Sequence, residues 1–307
     1  MPPSASVIRL PLSLHHRLEA ATSAFMNLHR GRIVDFTRPL GEQALLPWDS
    51  VSWRVCKNPL ALFIGGVAAV ILELAEPAVR AGVWEHSSFR KNPVGRLQRT
   101  GLAAMATVYG ARSVSEPMIA GVVRMHERIT GSTAAGLPYA ANDSQLLSWV
   151  HATATFGFAE AYSRYVEPLS QAEYDGLYSE GVATSRLYGA LGAPRSIVEA
   201  KLLFHSMRDR LEPSPVVFQF LQIMSEAPAF PRPLLWMRGM LVRAAVEVIP
   251  EWIRERLGLT ARYGLRAREK WIVKLAGTVS NRIVLSESPA VQSCVRLGLP
   301  ATQLYSS

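Results

Sequence analysis

Apolar residues recur every three to four positions along most of the chain. This spacing places apolar side chains on one face of an α-helix. No alternating apolar and polar run is long enough to predict a sheet, and no repeat of fixed period is present. The pattern therefore predicts an all-α fold. The predicted helical runs cover residues 60–80, 95–109, 114–129, 144–165, 171–188, 196–210, 215–224, 233–248 and 265–279. Residues 82–93 are predicted to form a turn, and the Gly- and Pro-containing residues 131–139 a loop.

The run at residues 144–165 has the best defined start. Asp143 precedes it, and an aspartate at this position can accept a hydrogen bond from one of the first free amides of a helix. The run is mostly apolar, contains His151 and stops ahead of Pro168. We expect a long buried helix that carries one imidazole.

The first apolar run contains Gly65 and Gly66. Each glycine inside a helix costs about 1 kcal/mol relative to alanine, so we expect close approach of another helix, with a flat ligand as the alternative. Thirteen uncharged residues, counted from Leu60 to Leu72, are too few to cross a bilayer. Peripheral membrane contact stays open.

The chain divides into a leader at residues 1–47, a helical domain at 48–290 and a tail at 291–307. We expect one large helical domain with a buried ligand pocket between its helices. No signal peptide pattern is visible at the N-terminus, so a cytoplasmic location is expected.

Composition narrows the class of protein. An apolar share of 49% in 307 residues is enough for a large core. Cys56 and Cys294 lie far apart and match no zinc or redox spacing. The net charge of +9 is scattered along helical segments instead of forming a basic block, so nucleic acid is not an expected partner.

Three histidines lie in the apolar middle of the chain: His86, His126 and His151. A lone histidine on an apolar helix is either a hydrogen-bonded core residue or a metal ligand. A non-haem metal site made of all three is a further alternative, although their spacing matches no short ligand motif. Neither a Gly-x-Ser-x-Gly elbow nor a phosphate-binding loop is present.

Arg96, Arg99 and Thr100 share one face near the start of a predicted helix. Such a face can clamp a carboxylate, and a surface ion-pair cluster is the alternative. A b-type haem needs a helix histidine, an apolar slot, basic partners for its propionates and distal polar groups. The sequence offers each of these parts.

Four segments in this order resemble the family of MpaB-type oxygenases and latex-clearing rubber oxygenases: residues 86–90 (HSSFR), 95–100 (GRLQRT), 124–128 (RMHER) and 146–153 (LLSWVHAT). The resemblance covers residues 53–211 well and the rest loosely. It implies an all-helical fold and haem b. It also implies cleavage of carbon–carbon double bonds in isoprenoid chains with dioxygen.

The resemblance also implies roles for individual residues. His151 is similar to the proximal iron ligand, and Arg96, Arg99 and Thr100 are similar to the distal cluster of the rubber enzymes. In the resulting haem hypothesis, Arg99 and Thr100 act on dioxygen, and Arg90 or Arg96 pairs with a propionate. His86 and His126 are further candidates for contact with the cofactor.

The sequence departs from the rubber branch at three positions. Arg99 stands where that branch has a lysine able to ligate iron; arginine stays protonated, so we expect an open or water-filled distal position. Ser148 stands where that branch has arginine, and Glu76 where relatives often have histidine. Rubber itself is therefore a doubtful substrate, and the candidates for an acid or base are Glu73, Glu76 and Glu85.

The sequence thus predicts a haem-dependent oxygenase for an apolar alkene-containing substrate. A cofactor-free helical carrier or interaction protein with the same fold is the alternative. A non-haem metal enzyme is the third interpretation.

Overall fold

The computed structural model describes residues 7–8, 10–27, 34–86, 88–89, 91–227 and 232–305. Within them lie fourteen α-helices and one two-stranded sheet, which confirms the all-α class. The helices are α1 (Leu12–Asn27), α2 (Val51–Cys56), α3 (Pro59–Ala75), α4 (Pro77–His86), α5 (Pro93–Tyr109), α6 (Arg112–His126), α7 (Ser144–Tyr165), α8 (Gln171–Leu187), α9 (Ile197–Ser206), α10 (Pro215–Glu226), α11 (Arg238–Val248), α12 (Glu251–Arg256), α13 (Ala267–Ser280) and α14 (Pro289–Arg296).

The centre of the fold is the antiparallel pair α3 and α7. They cross at Gly65 and Gly157, where a Cβ on Gly65 would lie 2.7 Å from the carbonyl oxygen of Gly157. Asn58, just before α3, donates to the Gly277 carbonyl at 2.9 Å, and Gly277 also packs against the backbone of Tyr165 at the end of α7. The predicted close approach of a helix at Gly65 is therefore confirmed.

The start of α7 follows the predicted chemistry. The Asp143 carboxylate accepts hydrogen bonds from the amides of Gln145 at 2.9 Å and Leu146 at 3.0 Å. The helix spans Ser144–Tyr165, as predicted. Its position along the chain is thus set by local capping, and its packing by the small residue at the crossing.

The predicted run at residues 60–80 is divided into α3 and α4, which meet at an angle of 111°. Pro77 begins α4, and the Glu76 carboxylate accepts the Val79 amide at 2.7 Å. The helix then continues to His86, where the sequence predicted a turn from Gly82 onwards. The turn prediction is wrong for residues 82–86, because the capped α4 extends through them.

A second core joins the two ends of the described chain. Phe36, Tyr109 and Cys294 are buried in it. The buried Arg296 guanidinium donates to the carbonyls of Phe36 at 3.0 Å, Glu42 at 2.9 Å and Tyr109 at 2.7 Å. Segments on both sides of the predicted boundaries at 47 and 290 therefore pack together, and those boundaries stay a prediction.

The loop predicted at residues 131–139 contains a small hairpin. Strands β1 (Thr130–Ser132) and β2 (Pro138–Ala140) pair antiparallel, with Gly136 at φ 80° in the turn.

Among the described residues, no single helix is long and apolar enough to cross a membrane; α3 and α4 meet that length and composition criterion only when taken together.

Candidate functional site

His151 lies on α7 with its imidazole against α8. A Cβ on Gly181 of α8 would lie 3.0 Å from His151 Nε2 and 3.1 Å from Cε1. Nε2 is inaccessible to solvent and has no hydrogen-bond partner among the described residues. Burial lowers the pKa of His151 to about 4. The imidazole is therefore neutral at physiological pH and keeps an unsatisfied nitrogen.

A half-buried stripe on α3 faces a half-buried stripe on α7. On α3 it consists of Gly66, Val70 and Glu73, and on α7 it includes His151 and Phe158. These spacings of three, four and seven residues each define one helix face. The Phe158 ring lies 3.9 Å from the position of a Cβ on Gly66, so the two stripes meet there.

Glu73 and His151 lie on the same side of the α3–α7 crossing. Glu73 follows Gly65 by eight residues, and His151 precedes Gly157 by six. At 1.5 Å per residue these offsets are about 12 Å and about 9 Å along antiparallel axes. The carboxyl and the imidazole therefore occupy similar heights in this part of the core.

Polar side chains from α3, α5 and α6 interact with Arg96, and we call Glu73, Arg96, Arg99, Thr100 and His126 the arginine cluster. Burial raises the pKa of Glu73 to about 7, and the positive charge of Arg96 opposes this shift. The pKa of Arg96 is lowered by burial, with the Glu73 charge opposing. The pKa of His126 is lowered by burial and by Arg96. The cluster thus holds a carboxyl that changes charge near neutral pH.

Hydrogen bonds orient the two ends of the cluster on α5. Arg96 Nη1 donates to Thr100 Oγ1, which itself donates to the Arg96 carbonyl at 2.9 Å. Arg99 Nη2 donates to Ser88 Oγ in the preceding loop. The predicted shared face of Arg96 and Thr100 is confirmed, whereas Arg99 turns towards the loop. Arg99 and Thr100 are exposed, so this end of the cluster opens to solvent.

A second contact connects α5 to the helix beside His151. The hydroxyls of Thr107 on α5 and Tyr188, the C-cap of α8, are 2.8 Å apart. Thr107 and Thr100 are seven residues apart, as are Tyr188 and Gly181, and residues seven apart share a helix face. The cluster face of α5 and the His151 face of α8 are therefore joined by one hydrogen bond.

The remaining predicted site residues are not all part of this arrangement. His86 and Glu85 are exposed at the end of α4. Glu76 is buried and accepts a hydrogen bond from Arg210 at 2.6 Å in addition to its capping bond. Its carboxylate is thus already engaged in structural bonds. Arg90 lies outside the described residues.

Ser148, one turn before His151, also has a structural role. Its hydroxyl donates to the Ser144 carbonyl at 2.6 Å and accepts the Gly192 amide at 3.0 Å. It anchors the loop after α8 to the first turns of α7.

The described part of the chain contains no group of three or more His, Cys, Asp or Glu residues arranged to hold a metal ion. The three-histidine site considered from the sequence is therefore not formed. Two surface cavities, of about 450 Å³ and 390 Å³, are lined by residues such as Phe218 and Arg210, and neither is lined by His151. The predicted buried pocket stays a prediction.

Sequence reasoning missed Gly181, Thr107 and Tyr188. A local signal existed only for Gly181, because a glycine inside an otherwise regular helix often marks close approach of another group. The Thr107–Tyr188 contact joins residues 81 positions apart and left no local signal.

Comparison with known proteins identifies the family to which the chain belongs. A family model described as "ER-bound oxygenase mpaB/B'/Rubber oxygenase, catalytic domain" matches residues 53–281. The chain belongs to this family. The match confirms the resemblance seen in the sequence and extends it beyond residue 211. No curated protein and no solved structure matches the chain significantly.

The matched range contains His151 and the whole arginine cluster. It also contains the α3–α7 crossing and α8, which carries Gly181. The family's oxygenase domain therefore includes every element that positions these residues, and the protein is an oxygenase-family chain.

Proposed function

We propose that the protein is a haem b-dependent oxygenase that cleaves or oxygenates an apolar, alkene-containing, isoprenoid-like substrate with dioxygen. The family supports the oxygenase class. One observation carries the haem: the buried Nε2 of His151 has no hydrogen-bond partner among the described residues. A cytoplasmic location stays a prediction from the sequence.

The chemistry of His151 fits a haem ligand. Leaving a buried polar atom unpaired costs about 1–3 kcal/mol, so a core histidine kept only for packing is expected to be hydrogen-bonded. A metal bond removes this cost. The imidazole is already neutral, since its pKa is about 4, and no proton has to leave before it binds iron. Gly181 adds no side chain at the ring edge.

Arg96 is the proposed partner of a haem propionate. It is half-buried, and its guanidinium can form a bidentate contact with a carboxylate. His126, with its lowered pKa, is a neutral imidazole near Arg96 that can donate one further hydrogen bond. Arg90 and His86 remain candidates from the sequence for the same task.

When bound, haem b supplies the iron at which dioxygen is activated. Arg99 and Thr100 are proposed to orient dioxygen or stabilise developing negative charge on oxygen by hydrogen bonding, the Thr100 hydroxyl by exchanging its bond to the Arg96 carbonyl. Arg99 cannot ligate iron, because its guanidinium stays protonated. The exposure of both side chains leaves them accessible from solvent.

Glu73 is the proposed proton carrier. Its pKa of about 7 lets it hold a proton or release one near physiological pH, which is the property required of a general acid or base. Glu76 is engaged by Val79 and Arg210, and Glu85 is exposed, so the structure favours Glu73 among the three predicted candidates.

The substrate is proposed to follow the apolar half-buried stripes. Val70 on α3 and Ala154 and Phe158 on α7 lie on the faces that also carry Glu73 and His151. Apolar side chains that remain partly accessible in the middle of core helices offer contact surface to an apolar chain.

Dioxygen uptake tests the proposal. Protein supplied with haem is mixed with a short polyisoprenoid alkene, and its fully saturated analogue serves as the control. We expect uptake and carbonyl or hydroxylated products with the alkene alone. If the folded protein binds the alkene but contains no haem and takes up no dioxygen, the result would contradict the oxygenase proposal and identify the protein as a carrier.

A further inference from the structure

Helix α13 presents an amphipathic outer face to solvent. Trp271 is 69% exposed and Leu275 is 48% exposed, and the two lie one turn apart. Arg268 and Lys274 flank them on the same face and are exposed as well. The opposite face is buried through Val273.

The outer face of α13 is fixed by the packing of its inner face. Gly277 packs against the backbone of Tyr165, and the buried Glu269 accepts hydrogen bonds from Arg243 Nε at 2.9 Å and from the Arg266 amide at 3.0 Å. These contacts prevent α13 from rotating Trp271 into the core. The packing of the inner face therefore holds the indole at the surface.

Positive charge is denser along this part of the chain than the even scatter expected from the sequence. Residues 251–282 contain eight basic and three acidic side chains, a net charge of +5 out of +9 for the chain. The acidic side chain within α13, Glu269, is turned inward onto Arg243. Lys270 pairs with Glu247 at 3.0 Å, whereas Arg268 and Lys274 form no ion pair with another described residue. The outer face thus combines two large apolar side chains with uncompensated positive charge.

We propose that α13 docks the protein onto an anionic phospholipid bilayer, with Trp271 and Leu275 in the headgroup region and Arg268 and Lys274 at lipid phosphates. Tryptophan and leucine on one face with basic flanking residues suit an interfacial helix. Basic side chains near an anionic leaflet add to the attraction. This inference goes beyond the proposed function and does not depend on haem.

A second copy of the chain fits this face less well. A two-fold contact centred on Trp271 would bring Arg268 and Lys274 of both copies together, and like charges in one interface are unfavourable. Two large apolar side chains also fall short of the area that a stable protein interface buries. A bilayer offers uniform negative charge and accepts a small apolar insertion.

Vesicle co-sedimentation tests the proposal on the full chain. The probes are vesicles of phosphatidylcholine alone and vesicles that contain about 30% phosphatidylserine, whose surface potential is negative. We expect binding to the anionic vesicles, weakening with added salt. Trp271→Glu is expected to lower the partition coefficient about tenfold, and Lys274→Glu to lower it by a smaller factor.

The matched control is Leu202→Glu on α9. Leu202 is 65% exposed and follows the exposed Lys201, so this variant introduces the same charge beside a basic residue on another helix. Its partition is expected to equal that of the parent. Equal losses in the Leu202→Glu and Trp271→Glu variants would show charge-driven adsorption without a docking face and overturn the proposal. A mass that falls from dimer to monomer in Trp271→Glu, with vesicle binding unchanged, would assign the face to a second copy and also overturn it.

Discussion

His151 and Glu73 lie at similar heights on paired helices, yet their surroundings differ. The imidazole meets the bare backbone of Gly181, and burial is the cause of its lowered pKa. The carboxyl lies near Arg96, whose charge opposes the effect of burial. Both groups are driven towards their neutral forms, one by losing a proton and the other by keeping it. Burial thus leaves an imidazole without a proton to lose on α7 and a carboxyl with a pKa of about 7 on α3, and the proposed function assigns metal binding to the first and proton transfer to the second.

The largest effect on stability and on haem affinity is expected from a substitution that fills the space beside His151. In Gly181→Leu, the new side chain meets Nε2 and Cε1 directly. We expect overpacking to cost about 2–3 kcal/mol of the free energy of unfolding. We also expect haem affinity to fall at least about tenfold, because the imidazole is displaced. Haem titration and urea unfolding measure the two effects.

Gly176→Ala is the matched control on the same helix. Its Cβ meets Val51 Cγ2 at 3.4 Å, an ordinary contact, and leaves His151 untouched. Haem affinity should equal that of the parent. If Gly181→Leu also retains the parent's affinity, His151 is not held for haem in the way described.

His151 is expected to make the free energy of unfolding depend on pH in the acidic range. Its pKa is about 4 in the folded protein and near the ordinary 6.5 when unfolded, so the unfolded chain binds more protons between these values. The His151-dependent part of the free energy of unfolding of the haem-free protein is therefore fully present above pH 6.5. It is lost as the pH falls towards 4. Because His151 is half-buried, as Glu73 is, we expect this contribution to be only about 1 kcal/mol.

The measurement is urea unfolding of the haem-free parent and of His151→Leu at several pH values. The leucine variant should show a flatter stability profile between pH 6.5 and 4. Parallel profiles for both proteins would mean that His151 does not titrate with a depressed pKa.

Glu73 is expected to make the free energy of unfolding depend on pH up to the neutral range. Its pKa is about 7 when folded and near the ordinary 4.5 when unfolded, so the folded protein binds more protons in this window. Its contribution is fully present below pH 4.5 and is lost as pH rises through 7. Because Glu73 is half-buried, we expect Glu73→Gln to gain only about 1 kcal/mol at pH 8 relative to the parent.

The pH profile of dioxygen uptake separates a proton carrier from a purely structural residue. Glu73→Gln should lose the limb near pH 7, while Glu85→Gln, on the exposed end of α4, keeps it. A Glu73→Gln enzyme with the parent's rate and pH profile would remove Glu73 from the mechanism.

The smallest effect on stability is expected at Arg99. It is exposed and donates to Ser88 from the loop side of α5, so Arg99→Lys should change the unfolding free energy by less than about 0.5 kcal/mol. The spectrum of the haem-loaded protein is more sensitive, because a lysine amine can lose its proton and ligate a metal whereas an arginine guanidinium cannot. Haem-loaded Arg99→Lys should shift towards a low-spin spectrum, and a low-spin parent would contradict the open distal position.

Local signals were sufficient to predict the central helix from the sequence. The cap at Asp143, the apolar run and Pro168 gave the limits of α7, and Gly65 pointed to the crossing that α3 makes. The all-α class followed from the same periodicity. Helices α2, α12 and α14 are too short, at six to eight residues, to show a periodic pattern.

The sequence alone could not distinguish the roles of Glu73 and Glu76. Both lie at the end of the same apolar run, but Arg210, which pairs with Glu76, is 134 residues away in the chain. Glu73 instead lies near Arg96 on α5. The partner of each carboxyl is set by tertiary packing, so the sequence could nominate the residues but could not rank them.

The central claim is that His151 holds haem, and an absorption spectrum tests it most directly. Protein expressed with adequate haem supply is compared with His151→Ala prepared in the same way, with circular dichroism to confirm that both are helical. The account predicts a Soret band in the parent that is absent from the variant. A folded parent with no Soret band, or a band of equal intensity in the two proteins, would contradict it.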